Sequence, residues 1–304
     1  MVRIQTFEGC QVEMVKMKTS ERIGSLTRYI VALGAIFFAL FPVFWMAGIS
    51  FKPPDEWITR EVIWFPQNPT IDNYLPLFYT AEQLGLFVWT AVSQTAVKSI
   101  QNSLIASLGG AALALFIGTT AAYAMSRYKA GGNFMPYLFL TFRMLPPMAI
   151  IVPLVIWFTT LNLIDNIFGL VLLYGLFQMP FVIWLMRSFF DEIPVEIDEA
   201  ALIDGCTPLQ TFVQVVLPLV KAGLAVTGLF IFILNWSDLI VALTMTRKEA
   251  VTATVQLGSY MAETGQLYGV MAALGIILLV PPVIMGLAIQ RYLVRGFTFG
   301  AVKG

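Results

Sequence analysis

From Glu199 to Leu219 the chain reads "EAALIDGCTPLQTFVQVVLPL": an acidic start, a stop at Gly205, a restart at Thr207-Pro208 and an end on Leu217-Pro218. In the wider segment "DEIPVEIDEAALIDG" the acids crowd the first turn of a short helix, where the macrodipole favours negative charge. Pro194 fits its first position, and Gly205 supplies the left-handed residue that ends it. Thr207 then reads as an N-cap with Pro208 at the first position of a second helix. Leu209, Phe212, Val213, Val216 and Leu217 recur at three- and four-residue spacing and give that helix an apolar face. Neither helix is long enough to cross a bilayer. Nearly everything around them is.

The 304 residues are 58% hydrophobic and 12% charged, with a mean hydropathy of +0.80. A soluble domain keeps about 25% charged residues on its surface. Several windows carry no charge over 20 or more residues, enough to cross a hydrocarbon core about 30 Å thick. The expected fold is therefore an all-α integral membrane protein of about six transmembrane helices. The spans are Tyr29 to Phe51, a segment within Ser99 to Ser126, about Phe134 to Thr160 with Arg143 inside, Asn166 to Met186, Ala222 to about Met245 with Asp238 inside, and Thr264 to Gln290. With the N-terminus inside, the cytosolic segments hold 12 lysines and arginines and the outer ones 5. Both termini are thus expected in the cytosol.

This topology gives a cytosolic segment 1–28, a membrane domain 29–290 and a cytosolic tail 291–304. Within the membrane domain, 52–98 is a long outer loop and 190–220 a cytosolic loop holding the helical pair. In the outer loop Trp57 and Trp64 suit the membrane interface, and "QLGLFVWTAVSQTAVKSI" suits a helix lying on or dipping into it. The small side chains of Ala200 and Ala201 allow another protein to approach the first helix closely. Glu199 and Asp204 are free for polar contacts.

Composition excludes several functions. Net charge is zero and no basic block occurs, which argues against nucleic acid as a partner. There is no histidine, and Cys10 and Cys206 are too few and too far apart for a metal framework. Both are expected to be reduced packing residues. The first 22 residues lack a signal-peptide cleavage site, so the first apolar run is expected to remain as an anchor. No Gly-Lys pair exists, and hence no Gly-x4-Gly-Lys-Ser/Thr phosphate loop. No ATP or metal is expected on this chain.

The spacing Glu-Ala-Ala, three residues, Gly, nine residues, Ile, one residue, Leu-Pro resembles the signature of permease subunits of bacterial and archaeal ABC importers. Here it is Glu199-Ala200-Ala201, Gly205, Val215 and Leu217-Pro218, with Val in place of Ile. The resemblance implies a type I importer core in the cell membrane, in which Glu199, Ala200, Ala201, Asp204, Gly205, Leu217 and Pro218 couple to an ATP-hydrolysing subunit. It covers most of the chain and points to carbohydrate uptake, specifically to the G-type permease of maltose-type systems. "ALFPVFWMAGISFKPPDEW" with "FPQNPTIDNY", "RMLPPMAIIVPL", "LNLIDN" and "LNWSDLIVALTMT" are similar to that branch, although its usual Trp-Asn-Glu appears as Trp236-Ser237-Asp238. The tail "QRYLVRGFTFGAVKG" implies contacts with the ATPase subunits through Gly300, Lys303 and Gly304. The partners so implied are a second homologous permease, two ATP-binding subunits carrying ATP and Mg, and an extracytoplasmic solute-binding protein. By position, the loop Arg247 to Glu263 resembles the one presented to that binding protein.

Polar groups inside a membrane are costly and face a cavity or a partner. Arg143, Gln178, Asn235 and Asp238 are the candidates for a translocation path, with tying of spans or contact with the second permease as the alternative reading. Trp157, Tyr174 and Trp184 read as lipid-facing or packing residues, with stacking on a sugar face as the alternative. A secondary transporter would show internal repeats and a coupling-ion site, and neither is evident. An intramembrane enzyme lacks a clustered nucleophile and base. Amino-acid or polyamine uptake remains the alternative substrate class.

Overall fold

The computed structural model describes residues 8–80, 83–84, 94–132, 134–262 and 265–299. Eleven helical segments carry the fold among them. They are α1 (Glu8–Ser50), α2 (Ala96–Arg127), α3 (Met135–Met144), α4 (Pro147–Thr160), α5 (Ile167–Asp191), α6 (Val195–Ile203), α7 (Pro208–Leu219), α8 (Lys221–Trp236), α9 (Ile240–Met245), α10 (Ala253–Ser259) and α11 (Tyr268–Phe299). A hairpin of two residues per strand, Met261–Ala262 with Gly265–Gln266, precedes α11.

Among the described residues four helices are long and apolar enough to cross a membrane: α1 through Leu26–Ser50, α2, α5, and α11 through Tyr268–Gln290. The pair α7 and α8 adds a fifth only if the two are counted as one span, and they are bent by 79° at the junction. The expected third and fifth spans are broken. The third does not yield at Arg143. It yields at Leu145, whose extended ψ of 132° is the conformation forced on a residue preceding proline. Pro147 then opens α4 at the position where a missing N–H costs nothing. The fifth breaks between Trp236 and Ile240, where the Asp238 carboxylate accepts the Val241 and Ala242 N–H groups at 3.1 Å each and so caps α9.

The most extensive packing joins α2 to α5. Ala106, Gly110, Ala114, Gly118 and Ala122 repeat every fourth residue and are all buried, forming a small-residue seam. A Cβ at Gly110 would lie 2.5 Å from Tyr174 Cβ, and one at Gly118 would lie 2.7 Å from a Val182 methyl. Only glycine at these two positions lets α5 come so close. α8 packs against α2, α5 and α11, and α1 packs against α11. From Leu26 to Pro42 its side chains are all exposed, as an apolar helix in lipid requires.

One end of α2 holds the segment after α9. Asn102 Nδ2 donates to the Glu249 and Val251 carbonyls, Ser103 Oγ accepts the Ala253 N–H at 2.8 Å, and Ser99 bonds Gln256. The other end holds α6 and α7. α2 is thus a rod with a grip at each end.

Candidate functional site: a clamped helical pair and a polar cavity

The local punctuation of 194–219 is that of two capped helices. Pro194 sits one place earlier than expected, as the N-cap, and α6 starts at Val195. At its end Gly205 has φ +90°, the Gly205 N–H donates to the Leu202 carbonyl at 3.1 Å, and the Cys206 N–H donates to the Ala201 carbonyl at 3.0 Å. These two bonds are the Schellman arrangement that satisfies the last helical carbonyls. Thr207 opens α7 with a reciprocal capping box: its Oγ accepts the Gln210 N–H, and Gln210 Oε1 accepts the Thr207 N–H at 2.8 Å. Over Thr211–Val216 the turn widens to a π-helix. Of the five apolar positions expected on one face, Phe212 and Val216 are buried and Leu217 partly so, whereas Leu209 and Val213 are exposed.

The pair is clamped to α2. Asp198, on the inner face of α6, is only 5% exposed. It accepts a bond from Arg127 Nε at 2.9 Å and one from the Tyr123 hydroxyl at 2.7 Å. Arg127 also donates to the Ile193 carbonyl at 3.0 Å, before α6 begins. The Tyr123 ring meets Phe212 of α7 at 4.7 Å between centroids and Phe190 of α5 at 5.5 Å. One side chain, Tyr123, therefore grips both α6 and α7. Removing one member of a buried ion pair leaves an uncompensated charge, which costs roughly 3–5 kcal/mol. The connection is correspondingly stiff.

The opposite surface is bare. Glu199, Ala200, Leu202, Ile203, Asp204, Gly205, Leu209 and Pro218 are exposed, with Ile203 at 86%. The two alanines separate: Ala200 faces outward, but Ala201 is buried against the chain itself. Asp198 was visible in the sequence only as one acid in a first turn. Tyr123 and Arg127 stand four apart, on one face of α2, which is the sole local sign of their joint role.

Midway along the bundle a cavity of about 450 Å³ opens between the two broken spans. Leu145 comes from the α3–α4 break, Asp238 from the α8–α9 break, and Tyr174, Leu176 and Gln178 from α5. The Tyr174 hydroxyl donates to Asp238 Oδ2 at 3.2 Å. Gln178 is 7% exposed, and its Oε1 has no hydrogen-bond partner among the described residues. Gln178 and Asp238 are thus brought together, and Asn235 is not. It is turned to α2, where Nδ2 donates to the Ser107 carbonyl at 3.3 Å. The side chain of Arg143, like Gly300, Lys303 and Gly304, lies outside the described residues.

At the far end, Asp165 in the α4–α5 turn accepts the backbone N–H groups of Arg247, Lys248, Glu249 and Ala250 at 2.9–3.0 Å. Burial pushes this carboxyl up, but those bonds outweigh it and hold it below its ordinary value.

The chain is 33% identical to the trehalose transport system permease protein SugB of Mycobacterium tuberculosis, over 88% of this chain and 93% of that one. It is 30% identical to the diacetylchitobiose uptake system permease protein DasC of Streptomyces coelicolor (92% and 96%). It is 28% identical to the trehalose/maltose transport system permease protein MalG of Thermococcus litoralis (92% and 98%). Its fold is similar to a chain of a bacterial ABC transporter involved in the import of the acidic polysaccharide alginate, with a TM-score of 0.69 at 22% identity over 90% of this chain and 97% of that chain. A family model, the inner membrane component of binding-protein-dependent transport systems, matches residues 114–299, a range that contains α5 to α11 with the clamped pair and the cavity. The chain belongs to this family of membrane-spanning ABC transporter permeases.

Proposed function

We propose that this chain is one permease subunit of an ATP-driven importer that moves a sugar or related polyol, delivered by a solute-binding protein, across the cell membrane of a bacterium or archaeon. It works beside a second permease and two ATP-binding subunits, and carries no ATPase site of its own. The substrate class rests on the relatives named for trehalose, diacetylchitobiose and maltose uptake.

The observation that carries the mechanism is the two-faced α6–α7 pair. Its outer face exposes Leu202, Ile203 and Leu209, apolar side chains on helices too short to cross a bilayer, which suits a docking surface. Its inner face is bolted to the bundle through Asp198 and Phe212. ATPase closure displaces the docked pair. α5 and α8 leave it directly, and α2 is pulled through Tyr123 and Arg127, so three helices move as a body. α5 lines the cavity from Tyr174 to Pro180 and α8 ends at the break of the fifth span, so displacement of these two changes the cavity.

Replacing Gly205 with Asp tests this in the reconstituted complex. No atom lies within 4 Å of a Cβ built there, so the change leaves the packing alone. It strains a residue at φ +90° and places a charge on the docking face. With the complex still assembled, binding-protein-stimulated ATP hydrolysis and uptake should fall together by about 10-fold or more. Normal rates would contradict the coupling role.

A further inference from the structure

We infer that the outer loop carries a membrane foot: the rings of Trp64 and Phe65 reach down into the outer leaflet and hold the loop on the bilayer. The inference goes beyond the transport reading and does not depend on which solute is carried.

The level of the loop against α1 carries it. The apolar part of α1, Leu26–Ser50, is 25 residues long, which is about 37 Å of helix. A hydrocarbon core about 30 Å thick, centred on that segment, ends near Gly48. Beyond Ser50 the chain leaves the helix, turns through Pro54–Glu56 and comes back to it. The Trp64 carbonyl oxygen lies 3.8 Å from a Cβ built at Gly48, so the loop backbone runs at that boundary. Its rings go lower. The Trp64 ring meets Trp45 at 5.7 Å and Phe41 at 6.3 Å between centroids, and the Phe65 ring meets Phe44 at 6.0 Å. Those three partners precede Gly48 by 3 to 7 residues, roughly 5–10 Å deeper along the helix. Irregular backbone is kept out of hydrocarbon while apolar rings enter it, which is the division a bilayer imposes.

The surface itself names lipid as the occupant. Trp64 is 53% and Phe65 71% exposed although both touch α1. They continue the apolar face of α1 that is exposed from Leu26 to Pro42, so span and foot present one surface. The Trp64 indole N–H has no partner among the described residues, and at this depth it can donate to a lipid ester or phosphate oxygen. Trp57, the other tryptophan expected at the interface, is spent inside the loop: its Nε1–H donates to the Lys52 carbonyl at 2.9 Å.

Two buried charges fix the height of the foot. Lys52 is 3% exposed; its ammonium donates to the Ile63 carbonyl, one residue before Trp64, and stands 4.8 Å from the centre of the Trp45 ring. Glu56 is 5% exposed and accepts the Gln67 and Asn68 N–H groups at 3.0 and 3.1 Å. The chain is thus pinned on both sides of Trp64-Phe65 to the root of the loop. The rings meet lipid in a conformation already paid for, which favours a specific contact over a mobile one.

The test uses the full complex in proteoliposomes, with Cys10, Cys206 and the cysteines of the other subunits replaced by Ser. A nitroxide is attached through Phe65→Cys or, as an aqueous reference on the same loop, through exposed Asp55→Cys. Collisions with oxygen, which concentrates in lipid, are compared with collisions with a water-soluble nickel chelate. The oxygen-to-nickel ratio should be severalfold higher at 65 than at 55. Equal ratios would place the foot in water and overturn the inference. Shielding of position 65 from both reagents would mean that protein, such as the second permease, covers it, and would overturn the inference as well. A second measurement leaves Phe65 intact. Most of the tryptophan emission that Trp64→Phe removes in ordinary lipid should already be missing in acyl-brominated lipid, and an equal loss in the two lipids would contradict the foot.

Discussion

The α6–α7 clamp and the central cavity treat polar side chains in opposite ways. At the clamp, Asp198 is buried and both of its oxygens are engaged, by Arg127 and Tyr123. In the cavity, Gln178 is nearly as buried and its oxygen has no partner, while Asp238 uses one oxygen of two. A completed network holds one geometry, because every alternative leaves a charge unpaired. The clamp is fixed by its own bonds, and the second region leaves polar atoms without donors among the described residues.

Breaking the clamp should have the largest effect. Asp198→Ala leaves Arg127 buried without its counterion, and the purified chain in detergent should lose roughly 3–5 kcal/mol of stability in thermal or denaturant unfolding. If Asp198→Ala and Arg127→Met each cost that much and the double variant costs little more, the pair acts as a unit. Independent, additive losses would mean that the two are merely neighbours.

A smaller, local effect is expected at Asp165, which resembles the clamp in being satisfied but is tied only to backbone. Asp165→Asn should weaken the 247–250 segment by about 1 kcal/mol, read as faster amide exchange there. Its pH dependence follows from a carboxyl held below its ordinary value of 3.8. The stabilisation is fully present above that value and is lost as pH falls below it through the lower folded value. Exchange at 247–250 should therefore accelerate on acidification in the wild type and change less in the variant.

The smallest change in stability belongs to the cavity. Gln178→Met removes an acceptor that has no donor, so unfolding should move by less than about 1 kcal/mol, in either direction. A loss as large as that of Asp198→Ala would erase the contrast between the two regions.

Which parts of this were legible in the sequence follows from distance along the chain. The stop at Gly205 and the start at Thr207-Pro208 are local, made by residues within four places of one another, and composition alone marks the apolar runs. The break at Leu145 was present in "LPP" but was overshadowed by the charge at Arg143. Asp238 was marked as a costly intramembrane acid, although its capping of α9 required knowing that the span breaks there. The clamp joins residues 71 apart, and the Asp165 bonds reach 82 to 85 residues along the chain. Nothing local distinguishes Asp198 from Glu196 in the same first turn. The periodic alanines and glycines of α2 carried a readable spacing, but only the close approach of α5 gives it meaning.

The docking claim is tested most directly by site-specific labelling. In a chain with Cys10 and Cys206 replaced by Ser, single cysteines at Ala200 and Ile203 should react with a water-soluble maleimide when the permease is purified alone. Both should be protected once the ATP-binding subunits are bound, while a cysteine at exposed Tyr79, near the opposite end of the bundle, stays reactive in both states. Equal labelling at Ala200 and Ile203 with and without those subunits would contradict the account, and uptake by the permease without them would remove it.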